Sequence, residues 1–254
     1  MSLLSNLPLY LLSLPVALLA LSVHETAHGY VAYKLGDPTA HSLGRLTLNP
    51  LKHFDPIGLL CMIVFKIGWA KPVPINTRYF KNPKRGMALS AAAGPTSNLL
   101  MALIFALLLR LEIFLVDTFM QEELLTLSLA TSGAALAVPA VAKVLSVLAY
   151  MLFIGVILNT SLAIFNLIPI PPFDGSRIVH VFLPAKWYFA IMKYERFIMI
   201  ALLVMFWVFP MGWLSSTTGG LASVILRLAG MKNGTYPIGI LNVLLNYVEA
   251  ALTL

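Results

Sequence analysis

Charged residues are scarce in this chain of 254 residues: Asp, Glu, Lys and Arg together make up 11% of it, whereas hydrophobic residues make up 59%. A typical soluble domain carries about 25% charged residues. The mean hydropathy of +0.89 departs from a soluble composition in the same direction. The composition therefore indicates a protein that lies in a lipid bilayer rather than a soluble globular domain.

Cysteine and acidic residues are also few. Cys61 is the single cysteine, which excludes an intrachain disulfide and gives no redox signal. Ten acidic residues against 17 basic ones give a formal net charge of +7. An excess of this kind can indicate nucleic-acid binding, but most of the basic residues lie in connections between apolar runs, as cytosolic loops of membrane proteins do. We therefore expect no nucleic-acid partner.

Apolar runs long enough to cross a membrane recur along the chain. A membrane-spanning helix needs roughly 20 apolar residues. The sequence predicts spans at about 7–33, 87–111, 140–168 and 196–214, and weaker ones at about 218–229 and 236–253. The first run lacks the basic start of a secretory signal peptide, so we interpret it as a retained span. We expect an all-α polytopic membrane protein with about 4–6 transmembrane helices.

The distribution of charge predicts the topology, because Lys and Arg concentrate in cytosolic connections. Nine of the 17 basic residues lie between the first two predicted spans, opposed by Asp37 and Asp55. The connection after the third span is basic again, whereas the one after the second span is acidic. We expect a multi-pass protein of the cell membrane, with residues 34–86 and 169–195 in the cytosol.

The first predicted span ends in an H-E-x-x-H motif, His24-Glu25-Thr26-Ala27-His28. Helical spacing places His24 and His28 one turn apart on one face, so both imidazoles can reach one Zn²⁺. Glu25 lies beside them and could accept a proton from an attacking water. Charged and polar residues of this kind are costly in a membrane span unless they are paired or bound to a metal. The motif therefore predicts a zinc site at the cytosolic end of the first span.

A candidate third ligand follows the third predicted span, in the segment Asn166-Leu-Ile-Pro-Ile-Pro-Pro-Phe-Asp174-Gly175. Its prolines end the helix, and Asp174 is a lone carboxylate in an apolar stretch. An Asp-Gly pair is also ordinary turn chemistry and needs no metal. The third span ends at the same cytosolic side as the H-E-x-x-H motif, which favours Asp174 as a ligand. Three protein ligands leave a fourth position open for water, as a catalytic zinc requires.

These two segments together resemble the signatures of the site-2 protease family of intramembrane metalloproteases. A third feature, Gly94-Pro95-Thr96-Ser97-Asn98, matches that family's G-x-x-x-N pattern. The resemblance implies that His24, His28 and Asp174 bind one Zn²⁺, that Glu25 is the general base, and that Asn166 and Asn98 contact substrate or the oxyanion. For Asn98 a packing role between spans is an equal alternative.

The resemblance also implies the architecture and the substrate. It predicts a three-helix catalytic core within a single integral-membrane peptidase domain, 1–254, with the core at about 7–200 and accessory helices at about 201–254. The chain is similar to short prokaryotic members without a PDZ or CBS domain. The implied activity is regulated intramembrane proteolysis, the hydrolysis of peptide bonds in or beside the transmembrane helices of other membrane proteins, with the lipid bilayer as the surroundings.

The connection between the first two spans shows strand-like alternation at 44–50 and 69–76. We expect a small membrane-associated β-hairpin there, either purely structural or able to hold an extended substrate by strand addition. Between these segments, Ile57–Trp69 is apolar but too short to span, which predicts a re-entrant segment.

Two other functions remain open from the sequence. One is a different membrane-anchored zinc peptidase whose third ligand is a glutamate, although the available glutamates lie in non-periodic loops. The other is a non-proteolytic metal-binding transporter or scaffold. His41, His53 and His180 share no helix face with the H-E-x-x-H pair, so we do not expect them to bind zinc.

Overall fold

The computed structural model describes residues 7–53, 55, 56, 58, 70–119, 140–208 and 212–231. Within these residues the protein is mostly helical. Three long helices dominate: α1 (Leu7–Lys34), and two further helices over Pro83–Phe119 and Ala140–Asn166. Each has a stretch that is long and apolar enough to cross a membrane, namely Leu9–Lys34, Pro83–Phe119 and Val144–Asn166. The expectation of a helical membrane protein is confirmed, and these helices cover the first three predicted spans.

The remaining helices of the described residues are shorter. In chain order the helices are α1, α2 (Thr39–Ser42), α3 (Pro83–Phe119), α4 (Ala140–Asn166), α5 (Asp174–Val179), α6 (Ala185–Met192), α7 (Glu195–Val208) and α8 (Gly212–Leu228). The predicted span at 196–214 includes most of α7 and the start of α8, with residues 209–211 outside the described residues, and 236–253 also lies outside them. The predicted count of 4–6 spans is therefore not confirmed.

The predicted β-hairpin is not confirmed either, because residues 44–49 and 70–76 form no strand in the described part of the connection. Pro72 and Pro74 have no backbone N–H to offer a ladder. Two of the remaining donors go to side chains: Val73 N–H to Glu25 and Asn76 N–H to Asp37. Apart from Gly58, the predicted re-entrant segment 57–69 lies outside the described residues.

The chain divides into two compact units. One comprises Met1–Ala17, Leu100–Asn159 and Gly219–Leu254, and the other comprises Leu18–Leu99 and Thr160–Thr218. In the first unit, α3 and α4 pack closely through small residues, since a Cβ on Gly155 would lie 2.7 Å from the ring of Phe105. Small residues allow such close approach of helices in membranes.

The second unit holds the H-E-x-x-H turn of α1, and the connection after α1 is tied to it. Thr26 Oγ1 donates to Thr47 O at 2.7 Å, and Arg45 Nη2 donates to Lys71 O at 2.8 Å. Lys71 N–H in turn donates to His53 O at 2.9 Å. These bonds hold residues 70–76 against α1, beside Glu25.

Candidate metal centre

The H-E-x-x-H turn of α1 brings its two histidines together as the sequence predicts. His24 and His28 are buried, with 4% and 7% of their surfaces exposed. Their Nε2 atoms lie 3.0 Å apart, and their rings meet edge to face. One turn of helix therefore directs two imidazole nitrogens at a common point.

Asp174 completes this cluster from a segment 150 residues later in the chain. α4 ends at Asn166, where Pro169, Pro171 and Pro172 prevent the helix from continuing. The chain then places Asp174 at the start of α5. Asp174 Oδ2 lies 3.1 Å from His24 Nε2 and 3.2 Å from His28 Nε2.

Close backbone packing explains why a glycine, Gly175, follows Asp174. A Cβ at this position would overlap the carbonyl oxygen of Leu167 and lie 2.5 Å from that of Ile168. The chain after α4 folds back onto itself here, and only a glycine fits without displacing the backbone. The Asp-Gly pair is therefore required by the local packing that presents Asp174 to the histidines.

The outer nitrogens of the two imidazoles have acceptor partners that determine their tautomers. His24 Nδ1 lies 2.5 Å from Asn98 Oδ1, and His28 Nδ1 donates to Ser90 O at 2.7 Å. Asn98 Nδ2 donates to Ala20 O at 3.3 Å, which orients the amide with its oxygen toward His24. In the neutral histidines, both Nδ1 atoms therefore carry the hydrogen and both Nε2 atoms present lone pairs to Asp174.

This arrangement fits a cation. Two nitrogen lone pairs and a carboxylate oxygen converge, and the three ligand atoms all lie within 4.8 Å of one another. Burial alone would raise the pKa of Asp174, but when His24 and His28 are protonated their hydrogen bonds and charge outweigh it and hold this pKa well below its ordinary value. A partly buried carboxylate and two buried imidazoles, each with its outer nitrogen bonded to an oxygen, form a donor set typical of zinc.

Gly94 on α3 leaves the space that the two imidazoles occupy. A Cβ there would contact His28 Cε1, and would lie 2.5 Å from His28 Nε2 and 2.6 Å from His24 Cε1. Asn98 follows one turn later on the same helix. Both positions of the G-x-x-x-N pattern therefore act on this pair of histidines. Gly94 has no side chain and leaves space for both rings, and Asn98 forms a hydrogen bond with His24.

Glu25 lies at the edge of the same cluster and is partly buried. Its Oε2 accepts a hydrogen bond from Val73 N–H at 2.9 Å. The segment 70–76 thus holds one carboxylate oxygen and leaves the other available. This contact depends on the fold of the connection, and the sequence patterns gave no indication of it.

A cavity of about 340 Å³ opens onto these residues. Besides His24, Glu25, His28 and Asp174, its wall includes Asn166 and the charged residues Arg177 and Glu195. The rest of the wall is apolar: Leu21, Ala70, Pro72, Val73, Ile75, Met87, Ala91, Leu162, Phe165, Pro172, Phe173, Met199 and Leu202. Such a cavity is suited to an apolar ligand with a few polar groups.

The two predicted asparagines occupy different positions. Asn166 lines the cavity, and its Nδ2 donates to Leu162 O at 2.9 Å, which leaves one N–H for another partner. Asn98 is fully buried and does not line the cavity. In this position the amide oxygen of Asn98 faces His24 and its nitrogen faces the backbone carbonyl of Ala20.

His41, His53 and His180 belong to no cluster of three metal-binding groups in the described residues. His53 Nε2 donates to Thr47 O at 2.7 Å, so His53 fixes the connection after α1. Burial and the charge of Lys84 lower the pKa of His180.

Comparisons with known proteins agree with this geometry. Residues 13–209 match peptidase family M50. The chain is 39% identical over 209 residues to a protein of Bacillus subtilis (strain 168) that carries the name zinc metalloprotease YwhC, covering 82% of this chain and 84% of that protein. It is 25% identical over 230 residues to a protein of Mycobacterium tuberculosis (strain ATCC 25618 / H37Rv) that carries the name zinc metalloprotease Rip2, covering 83% of this chain and 77% of that protein. No solved structure gives a significant match.

Proposed function

Because the chain belongs to peptidase family M50, the site-2 proteases, and is therefore an intramembrane zinc metalloprotease, we propose that His24, His28 and Asp174 bind its zinc and that Glu25 is the general base. The observation that carries this assignment is the convergence of the two Nε2 atoms and Asp174 Oδ2 within 3.2 Å. The family match spans most of both compact units, which supports one integral-membrane peptidase domain over 1–254.

Zinc bound at this site supplies a Lewis acid that lowers the pKa of water toward about 7. Glu25 accepts the proton of the attacking water through the carboxylate oxygen that Val73 leaves available, and then delivers it to the leaving amine. The Val73 N–H bond fixes the carboxylate, so that the base does not have to be ordered during the reaction.

Asn166 is the residue that we assign to the substrate. Its side chain lines the cavity, and its second N–H can donate to the carbonyl oxygen of the scissile bond as negative charge develops there. A donor of this kind contributes about 10²–10³-fold in rate in other enzymes.

Asn98 is a positioning residue in this account rather than a substrate-binding one. Its oxygen accepts the hydrogen of His24 Nδ1, which keeps the lone pair of His24 on Nε2 and fixes the ring. Ser90 O does the same for His28. Asn98 therefore acts on the reaction through His24.

The substrates are transmembrane proteins, and the reaction takes place near the cytosolic face of the cell membrane. Two observations support this orientation. His24 and His28 lie in the last three turns of α1, the end that carries Lys34, and Asp174 follows the end of α4. The connections at these ends are basic, as cytosolic connections are. Further spans beyond the three long helices would come from the chain after α6.

The test is zinc content and cleavage measured on the same purified protein in lipid vesicles, with a single-span membrane protein as substrate. Glu25→Gln should keep one zinc per chain and lose cleavage, because glutamine cannot accept the proton. His24→Ala and Asp174→Ala should lose zinc as well as cleavage. Cleavage by Glu25→Gln at the parental rate would show that Glu25 is not the base.

A further inference from the structure

Arg177 lines the cavity, and its guanidinium has few polar contacts among the residues that the structure describes. It lies on α5 one turn after Asp174 and is half-buried. Its polar contact within the described residues is from Nη1 to Met87 Sδ, at 4.0 Å. A thioether sulfur is a weak acceptor, and a guanidinium has five N–H donors. Most of these donors therefore have no protein partner among the described residues.

Other basic residues of this unit donate hydrogen bonds to backbone carbonyls, which is a structural role. Lys84 Nζ donates to Leu183 O at 3.2 Å, and Arg45 Nη2 donates to Lys71 O and Pro72 O. Each of these cations holds backbone carbonyls in place. Arg177 does not bond the carbonyls at the end of its own helix, so capping does not explain its position.

Glu195, the first residue of α7, contributes an opposite charge to the same cavity. A carboxylate is favoured at a helix N-terminus, which accounts for its place in the sequence but not for its position in the cavity wall. Within the described residues Glu195 and Arg177 form no ion pair with each other, and the ion pairs present are those of Asp174 with the two histidines. Among the described residues, the cavity wall therefore adds a charged donor group, Arg177, and a charged acceptor group, Glu195, to the polar groups of the zinc site and Asn166.

Because both charged residues line one cavity, we propose that Arg177 and Glu195 bind the main chain of the unwound substrate. Arg177 donates to a backbone carbonyl, and Glu195 accepts from a backbone N–H. A transmembrane helix satisfies its own backbone, and unwinding it exposes N–H and C=O groups that cost several kcal/mol each in an apolar environment. An unwound peptide group has one donor and one acceptor and no net charge, so a cation and an anion in the cavity wall match it. An acidic side chain of the substrate would face repulsion from Glu195.

This proposal rests on the proposed zinc protease function and names the part of the substrate that the cavity recognises. It predicts that binding depends on Arg177 whatever the side chains around the scissile bond, because the contact is with the main chain. Charge-assisted hydrogen bonds contribute enough for the loss of one to weaken binding about tenfold or more.

The experiment measures substrate binding and zinc content in the Glu25→Gln background, where the substrate is not cleaved. Two single-span substrates are compared, identical except that one carries an acidic residue beside the scissile bond and the other a neutral residue. Arg177→Gln should bind both substrates about tenfold more weakly and keep one zinc per chain, and Arg177→Lys should retain part of the affinity. Arg85→Gln, which removes an exposed charge outside the cavity wall, is the matched control and should bind as the parent does.

Three results would overturn the proposal. Unchanged affinity in Arg177→Gln would show that Arg177 makes no substrate contact. A loss confined to the acidic substrate would show recognition of a side chain instead of the main chain. Loss of zinc would show that Arg177 only supports Asp174. Failure of the protease function itself is distinguishable, because it would appear as absence of cleavage in the parent protein with Glu25 intact.

Discussion

Replacing Gly94 with alanine should disable the site through one added carbon atom. The new Cβ would contact His28 Cε1, and would lie 2.5 Å from His28 Nε2 and 2.6 Å from His24 Cε1. Atoms in van der Waals contact are about 3.5–4.0 Å apart, so each ring would have to move by about 1 Å or α3 would have to move away. Zinc–nitrogen bonds are about 2.0–2.1 Å long and tolerate deviations of about 0.2 Å.

A displacement of this size is incompatible with both histidines binding one metal. We expect Gly94→Ala to lose most of its zinc, and its cleavage rate to fall by about a hundredfold or more, because misplacement by about 1 Å costs roughly that factor. The assay is zinc content and cleavage of a single-span substrate by protein of verified helicity. Gly219→Ala is the control, since Gly219 also lies in a helix and a Cβ there would meet nothing within 4 Å. Stoichiometric zinc and parental cleavage in Gly94→Ala would show that the two imidazoles do not need the space that Gly94 leaves.

Three further predictions concern the surroundings of the ligands. Asn98→Ala should weaken zinc affinity about 10–100-fold. Asn98→Asp keeps the acceptor for His24 and should bind zinc more nearly as the parent does. Parental zinc affinity in Asn98→Ala, together with a lower turnover, would instead favour a substrate contact. Gly175→Ala should lose zinc by displacing Asp174, because its Cβ would overlap Leu167 O; full metal content in that variant would contradict the packing argument. A zinc chelator should abolish cleavage and added zinc should restore it, and cleavage that persists in metal-free protein would exclude a zinc protease.

The sequence predicted that His24, His28 and Asp174 lie together, because the spacing of residues on a helix and the positions of the apolar runs can both be derived from it. The spacing of His24 and His28 determines their common face. The basic connections predict that α1 and α4 end at the same side of the membrane, and this prediction favoured Asp174 as a partner for the two histidines. The three long helices were predictable for a similar reason, since long uncharged runs have few alternatives to spanning helices.

Side-chain contacts from elsewhere in the fold explain what the sequence did not predict. The alternation at 69–76 resembles a strand, but Glu25 and Asp37 take the backbone hydrogens that a strand would use. Asn98 has the right chemistry to contact a substrate, and only the tertiary structure shows that its oxygen faces His24.

X-ray absorption at the zinc edge measures which atoms bind the metal, and it therefore examines the assignment of His24, His28 and Asp174 without depending on activity. The parent protein should contain one zinc per chain, bound by two imidazole nitrogens and by oxygen. His28→Ala and Asp174→Ala should each lose the metal, and Glu25→Gln should give the parental spectrum. A parental spectrum with full zinc content in Asp174→Ala, or sulfur ligation in the parent protein, would contradict the assignment of His24, His28 and Asp174 as the ligands.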